Sequence, residues 1–319
     1  MNWARCASRL VQWRSSRLSI LIFHRVLPQP DPLFPEEPDA VQFEAMLRCV
    51  ADAFQVMPLA QAVVALRDGN LPPGALAITF DDGYADNEQI AAPILRRLGL
   101  HATFFVATGF LDGGRMWNDT VVEALRRTRL QRLDLSAQGW GVHDLQTPTQ
   151  RRQAINHLLP LLKYMPLAER ARQVEVVASA CGEALPADLM MSSSQLQALH
   201  RSGMDIGGHT VCHPILCSVP DDVARAEIEA NKSALEATLQ TPVTLFAYPN
   251  GKPDTDYAAR HAEMVRAAGY DAAVTTAPGA AREGSDLMQL PRFTPWDRDL
   301  RRFSARLVAN LRQEARLAA

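Results

Sequence analysis

The stretch at residues 75–87, ALAITFDDGYADN, restricts the fold of this chain more than any other. Residues 76–80 form a short apolar run, and two adjacent carboxylates, Asp81 and Asp82, follow it directly. Such a run is typical of a buried strand in a parallel sheet, where side chains just past the carboxyl end line the active site of α/β folds. Because adjacent carboxylates are costly to desolvate, we expect a metal ion to hold them. The alternative is a helix cap or an Asx turn.

A second predicted strand ends at two histidines. Residues 204–208 have the pattern of a short strand, and the sequence HTVCHP at 209–214 follows. His209 and His213 are four residues apart, a spacing that puts both rings on one side of a helical turn. Two imidazoles, one carboxylate and a water form a catalytic zinc-type site with an open position. Two histidines alone are also compatible with packing or solvation, but their position after a strand favours a metal centre shared with the aspartates.

The two motifs together resemble those of a known family. TFDDG at 79–83 and HTxxHP at 209–214 are similar to the first two motifs of the polysaccharide deacetylases of carbohydrate esterase family four, the NodB-homology domain. The resemblance covers about residues 20–293. It implies an α/β fold, a distorted (β/α)7-type barrel, and hydrolysis of an N-acetyl group on a sugar.

The same resemblance implies a role for each motif residue. Asp82, His209 and His213 are expected to bind one divalent ion, zinc in the first place, with cobalt or nickel as alternatives. Asp81 is expected to act as the general base that takes a proton from water. The expected partner is a carbohydrate that carries N-acetyl groups.

One branch of the family, which includes bacterial poly-N-acetylglucosamine deacetylases, is circularly permuted and has its catalytic histidine near the N-terminus. Residues 21–24, LIFH, resemble that permuted motif. The resemblance therefore implies His24 as the general acid that protonates the leaving amine. Trp117, in a loop after a later predicted strand, is a candidate for contact with the sugar, with simple packing as the alternative.

The third family motif, usually Arg-x-Pro-Tyr, is only partly present. Tyr248, Pro249 and Asn250 follow a predicted strand at 243–247 and resemble the part whose backbone helps to bind the oxyanion. The arginine of that motif is missing. Arg292, at the end of a predicted late strand at 287–293, is a candidate substitute as the partner of the catalytic aspartate; a surface salt bridge is the alternative.

Length and composition are compatible with a single barrel domain over residues 1–319. The chain is 47% hydrophobic and has a net charge of -2, so it has no electrostatic footprint for nucleic acid. Residues 120–199, approximately, are mostly polar with helical periodicity, and we interpret them as an insertion between barrel strands that serves as a lid or partner surface. A break at 139–141 interrupts this pattern.

The N-terminal residues and the cysteines predict a location. Residues 1–17 are basic and have helical periodicity, which favours either an amphipathic helix at the inner face of a membrane or a helix packed on the barrel. Five cysteines at irregular spacing argue for a reducing compartment, and no signal-peptide pattern is evident. We therefore expect a cytoplasmic protein, with peripheral membrane contact through residues 1–17 as one alternative.

Two other classes of function compete with the deacetylase hypothesis. A non-haem iron oxygenase also uses two histidines and one carboxylate, but the second aspartate argues against it. A catalytically inactive carbohydrate-binding module on the same barrel is the other alternative, and the intact motif residues argue against it. Activity with zinc in the absence of oxygen would separate the first alternative from the hypothesis.

Overall fold

The computed structural model describes residues 16–319. The strands in this part are β1 (Arg17–Phe23), β2 (Gln55–Val56), β3 (Ala75–Phe80), β4 (Thr103–Val106), β5 (Arg132–Asp134), β6 (Val142–Asp144), β7 (Asp205–Gly208), β8 (Leu245–Ala247), β9 (Ala272–Val274) and β10 (Ala281–Arg282). The α-helices in the same part are α1 (Ala40–Ala53), α2 (Leu59–Arg67), α3 (Ala92–Arg97), α4 (Trp117–Arg127), α5 (Pro148–Lys163), α6 (Leu167–Cys181), α7 (Ser193–Arg201), α8 (Asp221–Leu239), α9 (Ala259–Ala267) and α10 (Leu300–Asn310).

The main sheet has the order β10-β1-β3-β4-β7-β8-β9, and β2 joins the beginning of β3. All its pairs are parallel except that of β10 with β1. Residues 290–293 lie between the two ends of the parallel part, because Leu290 bridges to Val274 of β9 and Phe293 bridges to Leu21 of β1. The sheet therefore curves into the expected distorted (β/α) barrel, which closes through single bridges.

The strands that carry the motifs are buried along their whole length. Every residue of β3 is buried, as the continuous apolar run predicts for a strand covered on both faces. Phe80 at its end stacks on Phe23 of β1 and Phe104 of β4, with ring centroids 5.4 and 4.7 Å apart. This packing fixes the ends of three neighbouring strands relative to one another.

The segment between β4 and β7 forms a substructure with its own core. It begins earlier than the predicted insertion, with α4 at Trp117, and contains α4, α5 and α6 together with the antiparallel pair β5–β6. Gly139 and Gly141, both with φ of 75°, form the connection of this pair, where the sequence predicted a break. Its buried side chains include Val121, Leu125, Leu133, Ile155, Leu158, Leu162 and Val177.

The ends of the chain differ in part from the predictions. The helix predicted at 1–17 lies outside the described residues apart from its last two, and Arg17 begins β1 instead of continuing a helix. The predicted late strand at 287–293 is a 3-10 turn, Leu287–Gln289, followed by the bridging residues. Among residues 16–319, no helix combines the length and apolar character that a membrane span requires. The four cysteines of this part are free thiols.

Candidate active site and metal centre

The candidate site lies at the carboxyl edge of the parallel sheet. The register of β1 and β3 pairs Phe23 with Phe80, and the amide of Asp81 donates to the carbonyl oxygen of Phe23 at 2.9 Å. The residues that follow these strands, His24 and Asp81, therefore emerge side by side. His24, the two aspartates at 81–82 and the two histidines of 209–213 all contribute to the lining of one cleft.

Three side chains at this edge are arranged as metal ligands. Oδ1 of Asp82 lies 3.3 Å from Nε2 of His209 and 3.5 Å from Nε2 of His213. The two Nε2 atoms are 3.1 Å apart, and the three potential ligand atoms all lie within 4.8 Å of one another. Asp82 has a φ of 79°, a left-handed conformation that is rare for a residue with a side chain.

The two histidines do not lie on a helical turn, as their spacing predicted. Residues 209–215 form an irregular loop in which Thr210 and His213 have φ of 63° and 52°. The carboxylate of Glu227 in α8 accepts hydrogen bonds from two amides of this loop, those of residues 211 and 212, each at 2.8 Å. The rings meet because of this folded loop, which the four-residue spacing alone does not specify.

The ring of His209 is oriented by a backbone hydrogen bond on the side that faces away from the site. Its Nδ1 lies 2.7 Å from the carbonyl oxygen of Ala247, the last residue of β8, so Nδ1–H donates to that oxygen. A backbone partner of this kind fixes the orientation of the ring and leaves Nε2 facing the site as the potential ligand atom. The ring is also buried, with 1% of its surface exposed.

Asn231 is a positioning residue that the sequence analysis did not identify. It lies in α8, is fully buried, and its Oδ1 accepts from the amide of His209 at 3.1 Å. Its Nδ2 donates to the carbonyl oxygens of Val106 at 3.0 Å and Thr210 at 2.5 Å. One side chain thus joins the end of β4 to the loop at 209–215, which we call the metal loop. An asparagine within the apolar stripe of a helix was the available signal, since Ile228 and Leu235 flank it on that face.

The second aspartate of the motif has a different partner. Asp81 forms two parallel hydrogen bonds with the guanidinium of Arg292, each 2.7 Å long. Nε of Arg292 donates to the carbonyl oxygen of Thr275 at 2.8 Å, and neither side chain of the ion pair has more than 3% of its surface exposed. The contact is therefore a buried bidentate pair, not a surface salt bridge. Burial alone would raise the pKa of Asp81, but the charge of Arg292 outweighs it and lowers that pKa.

We call Asp82, His209 and His213, the three potential metal ligands, the metal set. The protonation states of these side chains are suited to a cation. Burial disfavours the charge of Asp82, but its hydrogen bond with His209 holds its pKa well below the ordinary value. Burial lowers the pKa of His213 to about 4, so this ring is neutral at neutral pH. Burial also acts to lower the pKa of His209, but Asp82 and Asp81 raise it overall. A divalent ion fits here, because it would replace the proton shared by His209 and Asp82.

The cleft in front of these residues has a volume of about 560 Å³ and two walls. The barrel contributes His24, Asn250 and the metal set, while the helical segment contributes Trp117 and its neighbours. His24 is half-buried, and its carbonyl oxygen accepts from Nδ2 of Asn87 at 2.8 Å. The backbone N–H of Asn250, a residue with φ of 58°, has no hydrogen-bond partner within residues 16–319.

Two residues of the third motif do not reach the cleft with their side chains. The ring of Tyr248 is fully buried and stacks on Tyr257 at 4.0 Å, and its hydroxyl donates to the carbonyl oxygen of Met288 at 2.9 Å. Pro249 is buried and is not among the residues that line the cleft. Their contribution to the site is the turn that presents Asn250.

A polar network beside the cleft was also not identified from the sequence. The hydroxyl of Tyr84 lies 3.1 Å from both carboxylate oxygens of Asp119. The guanidinium of Arg25 lies 4.7 Å from the centre of the Tyr84 ring and pairs with Asp86 at 2.8 Å. Burial raises the pKa of Asp119 to about 7. These residues flank the two motifs, and no local spacing marks them.

Comparison with known proteins agrees with this architecture. The family model of the polysaccharide deacetylases matches residues 68–159 and 171–273, more than half of the chain. YxkH of Bacillus subtilis, classed with the polysaccharide deacetylases, is 20% identical over 281 residues, which are 88% of this chain and 71% of that protein.

Two solved structures have a similar fold. The deacetylase PplD of Streptococcus pyogenes, solved in complex with acetate, has a TM-score of 0.58 at 20% identity and covers 88% of this chain and 92% of its own. IcaB of Ammonifex degensii has a TM-score of 0.57 at 18% identity, with coverages of 92% and 97%. The family match, together with the two motifs at the edge of a distorted barrel, shows that this chain belongs to the polysaccharide deacetylase family.

Proposed function

We propose that this protein is a metal-dependent hydrolase that removes an N-acetyl group from an amino sugar of a polysaccharide or glycan precursor and releases acetate. Membership of the family establishes the coarser statement, an enzyme that deacetylates polysaccharide. The observation that carries the finer proposal is the separation of two carboxylates at one sheet edge. Asp82 converges with His209 and His213, whereas Asp81 is held apart by Arg292.

In this proposal each residue of the edge has its own task. A divalent ion bound by Asp82, His209 and His213 supplies a Lewis acid that activates water and polarises the acetyl carbonyl. Asp81 accepts the proton of the attacking water, which its lowered pKa permits because the carboxylate is ionised at neutral pH.

The other two steps concern the oxygen and the nitrogen of the amide. The unpartnered N–H of Asn250 is available to donate to the acetyl oxygen as negative charge develops on it. His24, which lines the cleft beside the aspartates, donates a proton to the departing amine. Without that proton the amine is a poor leaving group. The products are acetate and a free amino sugar.

The buried ion pair supports hydrolysis over the oxygenase alternative. A two-histidine, one-carboxylate iron site does not use a second ionised carboxylate beside it. Here the fold keeps Asp81 charged at 2% exposure by means of a fully buried arginine. An ion pair of this kind is costly to bury, so its presence next to the metal set favours a role in proton transfer.

The proposal is tested by acetate release from N-acetylhexosamine oligosaccharides, measured with metal-free and metal-loaded protein. We expect one divalent ion per chain by elemental analysis, loss of acetate release in chelator, and recovery with zinc, cobalt or nickel. His213→Ala should lose both metal and activity, while the exposed His157→Ala should keep both. Full activity of metal-free protein in chelator would contradict the proposal.

A further inference from the structure

Two helices and one loop beside the cleft carry cations that the proposed chemistry does not use. Lys163 ends α5, Arg170 lies in α6, and Lys252 follows Asn250 by two residues. All three line the cleft, and within the described part of the chain none of them forms an ion pair with a carboxylate. We call these three residues the cationic patch.

Arg170 is the most telling member because it is buried. Only 6% of its surface is exposed, and burial lowers its pKa. Its guanidinium lies 4.9 Å from the centre of the Trp117 ring, and Nη1 donates to the carbonyl oxygen of Lys163 at 3.2 Å. A guanidinium has five N–H donors, so most of them remain available in this cleft.

The two lysines lie within electrostatic reach of each other. Burial lowers the pKa of Lys163, Asp256 acts in the opposite direction, and Lys252 lowers it further. Asp256 is fully buried and accepts from the amide of Lys252 at 3.0 Å, so it offsets part of the positive charge. The patch and Asp256 together keep an excess of two positive charges, from three cations and one carboxylate.

Other cations near the cleft are neutralised within the protein. Arg25 pairs with Asp86 at 2.8 Å, and Arg126 pairs with Asp31 at 2.6 Å. The excess of positive charge is therefore confined to the patch. An unpaired buried guanidinium is costly unless a ligand supplies the counter-charge.

We propose that the cationic patch binds a phosphoryl group of the substrate, next to the N-acetyl sugar that the metal edge deacetylates. A phosphate or diphosphate offers several oxygens and more negative charge than a single carboxylate. Two lysines and one arginine therefore suit a phosphoryl group better than a carboxylate. Lys252 lies two residues after Asn250, so the phosphoryl group lies close to the reacting acetyl group. The inference rests on the proposed function and narrows its substrate class.

Such a phosphoryl group has two chemical sources. It is either the phosphate that links the sugar to a nucleotide or lipid carrier in a precursor, or a phosphodiester within a polymer. The test compares acetate release from four probes: UDP-N-acetylglucosamine, N-acetylglucosamine 1-phosphate, an N-acetylglucosamine phosphodiester fragment and the neutral methyl glycoside. A disaccharide of N-acetylglucosamine and a uronic acid serves as the carboxylate probe.

We expect kcat/KM for the best phosphorylated probe to exceed that for the neutral glycoside by about tenfold to hundredfold, the usual value of a charge-assisted hydrogen bond. Whether the diphosphate or the phosphodiester is best identifies the source. The double variant Lys163→Gln/Lys252→Gln, and separately Arg170→Gln, should bring this ratio close to one. Arg172→Gln is the matched control, because Arg172 lies in the same helix, pairs with Glu169 and is 69% exposed.

Three results would overturn the inference: equal rates on neutral and phosphorylated probes in the natural protein, a ratio that survives in the lysine double variant, or a preference for the uronic acid disaccharide. The lysine variant carries the test if Arg170→Gln does not fold. If neither these probes nor the N-acetylhexosamine oligosaccharides yield acetate, the proposed function fails, and calorimetry decides the patch separately. Binding of N-acetylglucosamine 1-phosphate that is lost in the lysine variant supports it, and absence of binding overturns it.

Discussion

The two walls of the cleft are stabilised in opposite ways. On the barrel wall two side chains of the candidate site are held by buried partners: Asp81 by Arg292, and His209 by the carbonyl oxygen of Ala247. On the helical wall Lys163 and Arg170 line the cleft without a carboxylate partner among the described residues. The difference teaches that the fold itself supplies the partners on the barrel wall, whereas in our proposal a bound phosphoryl group supplies the counter-charge on the helical wall.

The two walls also differ in their dependence on the rest of the molecule. The barrel residues follow strands whose hydrogen bonds fix their backbone, and Phe80 packs between neighbouring strands. The helical segment has a separate hydrophobic cluster that includes Val121, Leu158 and Val177. We therefore expect variants of the barrel wall to change rate or stability strongly, and variants of the helical wall to change substrate preference without unfolding the protein.

The largest effect is expected for Asp81, the proposed general base. Asp81→Asn keeps the shape of the side chain but cannot accept the proton of water, so kcat should fall by about 10²–10⁴-fold. Metal content, measured by elemental analysis, should not change, because Asp81 pairs with Arg292 and is not in the metal set. Asp68→Asn, a change on an exposed side chain, is the matched control. Loss of metal from Asp81→Asn would show that the two aspartates share the ligand role.

His24→Ala should reduce deacetylation of an amide by a similar factor, about 10²–10⁴-fold, because the amine must leave protonated. The comparison with an aryl acetate ester is decisive, since its leaving group needs no proton and the variant should hydrolyse it almost as fast as the natural protein. His157→Ala is the control. Equal losses on the amide and the ester, or full activity on the amide, would rule out His24 as the acid.

Arg292→Met should affect stability and pH dependence together. The variant leaves Asp81 buried without its cation, which costs about 3–5 kcal/mol in the free energy of unfolding. The pKa of Asp81 should rise, because burial is no longer opposed, and the acid limb of the rate profile should shift to higher pH.

The double variant Arg292→Met/Asp81→Asn sharpens this prediction. It removes the stranded charge and should regain part of the stability measured by denaturant unfolding. If the double variant is no more stable than Arg292→Met, the loss comes from the packing of Arg292 and not from its charge.

Asn231→Leu should lower metal affinity by about 10–100-fold, the usual cost of losing a group that orients the ligands. Leucine leaves the amide of His209 and the carbonyl oxygen of Thr210 without the partner they have in α8. Zinc affinity is measured by competition with a chromophoric chelator. Glu229→Gln, on the exposed face of the same helix, is the control, and unchanged affinity in Asn231→Leu would show that the loop holds its own shape.

The smallest effect is expected on the helical wall. Trp117→Ala removes the ring that contacts the guanidinium of Arg170, an interaction of about 0.5–1 kcal/mol, so KM should rise roughly twofold to fivefold. Metal content and kcat should stay the same, and Trp117→Phe should restore most of the KM. A fall in kcat as large as that of Asp81→Asn would mean that the two walls are not separate in function.

The sequence alone determined the elements whose signal is local. The apolar run of β3 ends at Phe80 as predicted, and Phe43, Met46, Leu47 and Val50 form the buried face of α1. The buried apolar residues of α8, Ala224, Ile228 and Leu235, follow the same helical spacing. Periodicity and turn residues carry this information because burial of a strand or helix face depends on side chains close together in the chain.

The tertiary structure alone decided which residues meet. The sequence could offer Arg292 only as one candidate partner of Asp81, since 211 positions separate them, and closure of the sheet between β9 and β1 brings them together. The predicted late strand at 287–293 does not form, because Pro291 has no N–H to donate to a neighbouring strand. Leu290 and Phe293, on either side of it, therefore make single bridges and not a ladder.

The same holds for Asn231 and for the cationic patch. Asn231 acts on β4 and on the metal loop at once, and Lys163, Arg170 and Lys252 come from two helices and a loop. No spacing in the chain records such a meeting, because it depends on how the helical segment packs against the barrel. The sequence determined the chemistry at the strand ends, and the packing of the two substructures decided what surrounds it.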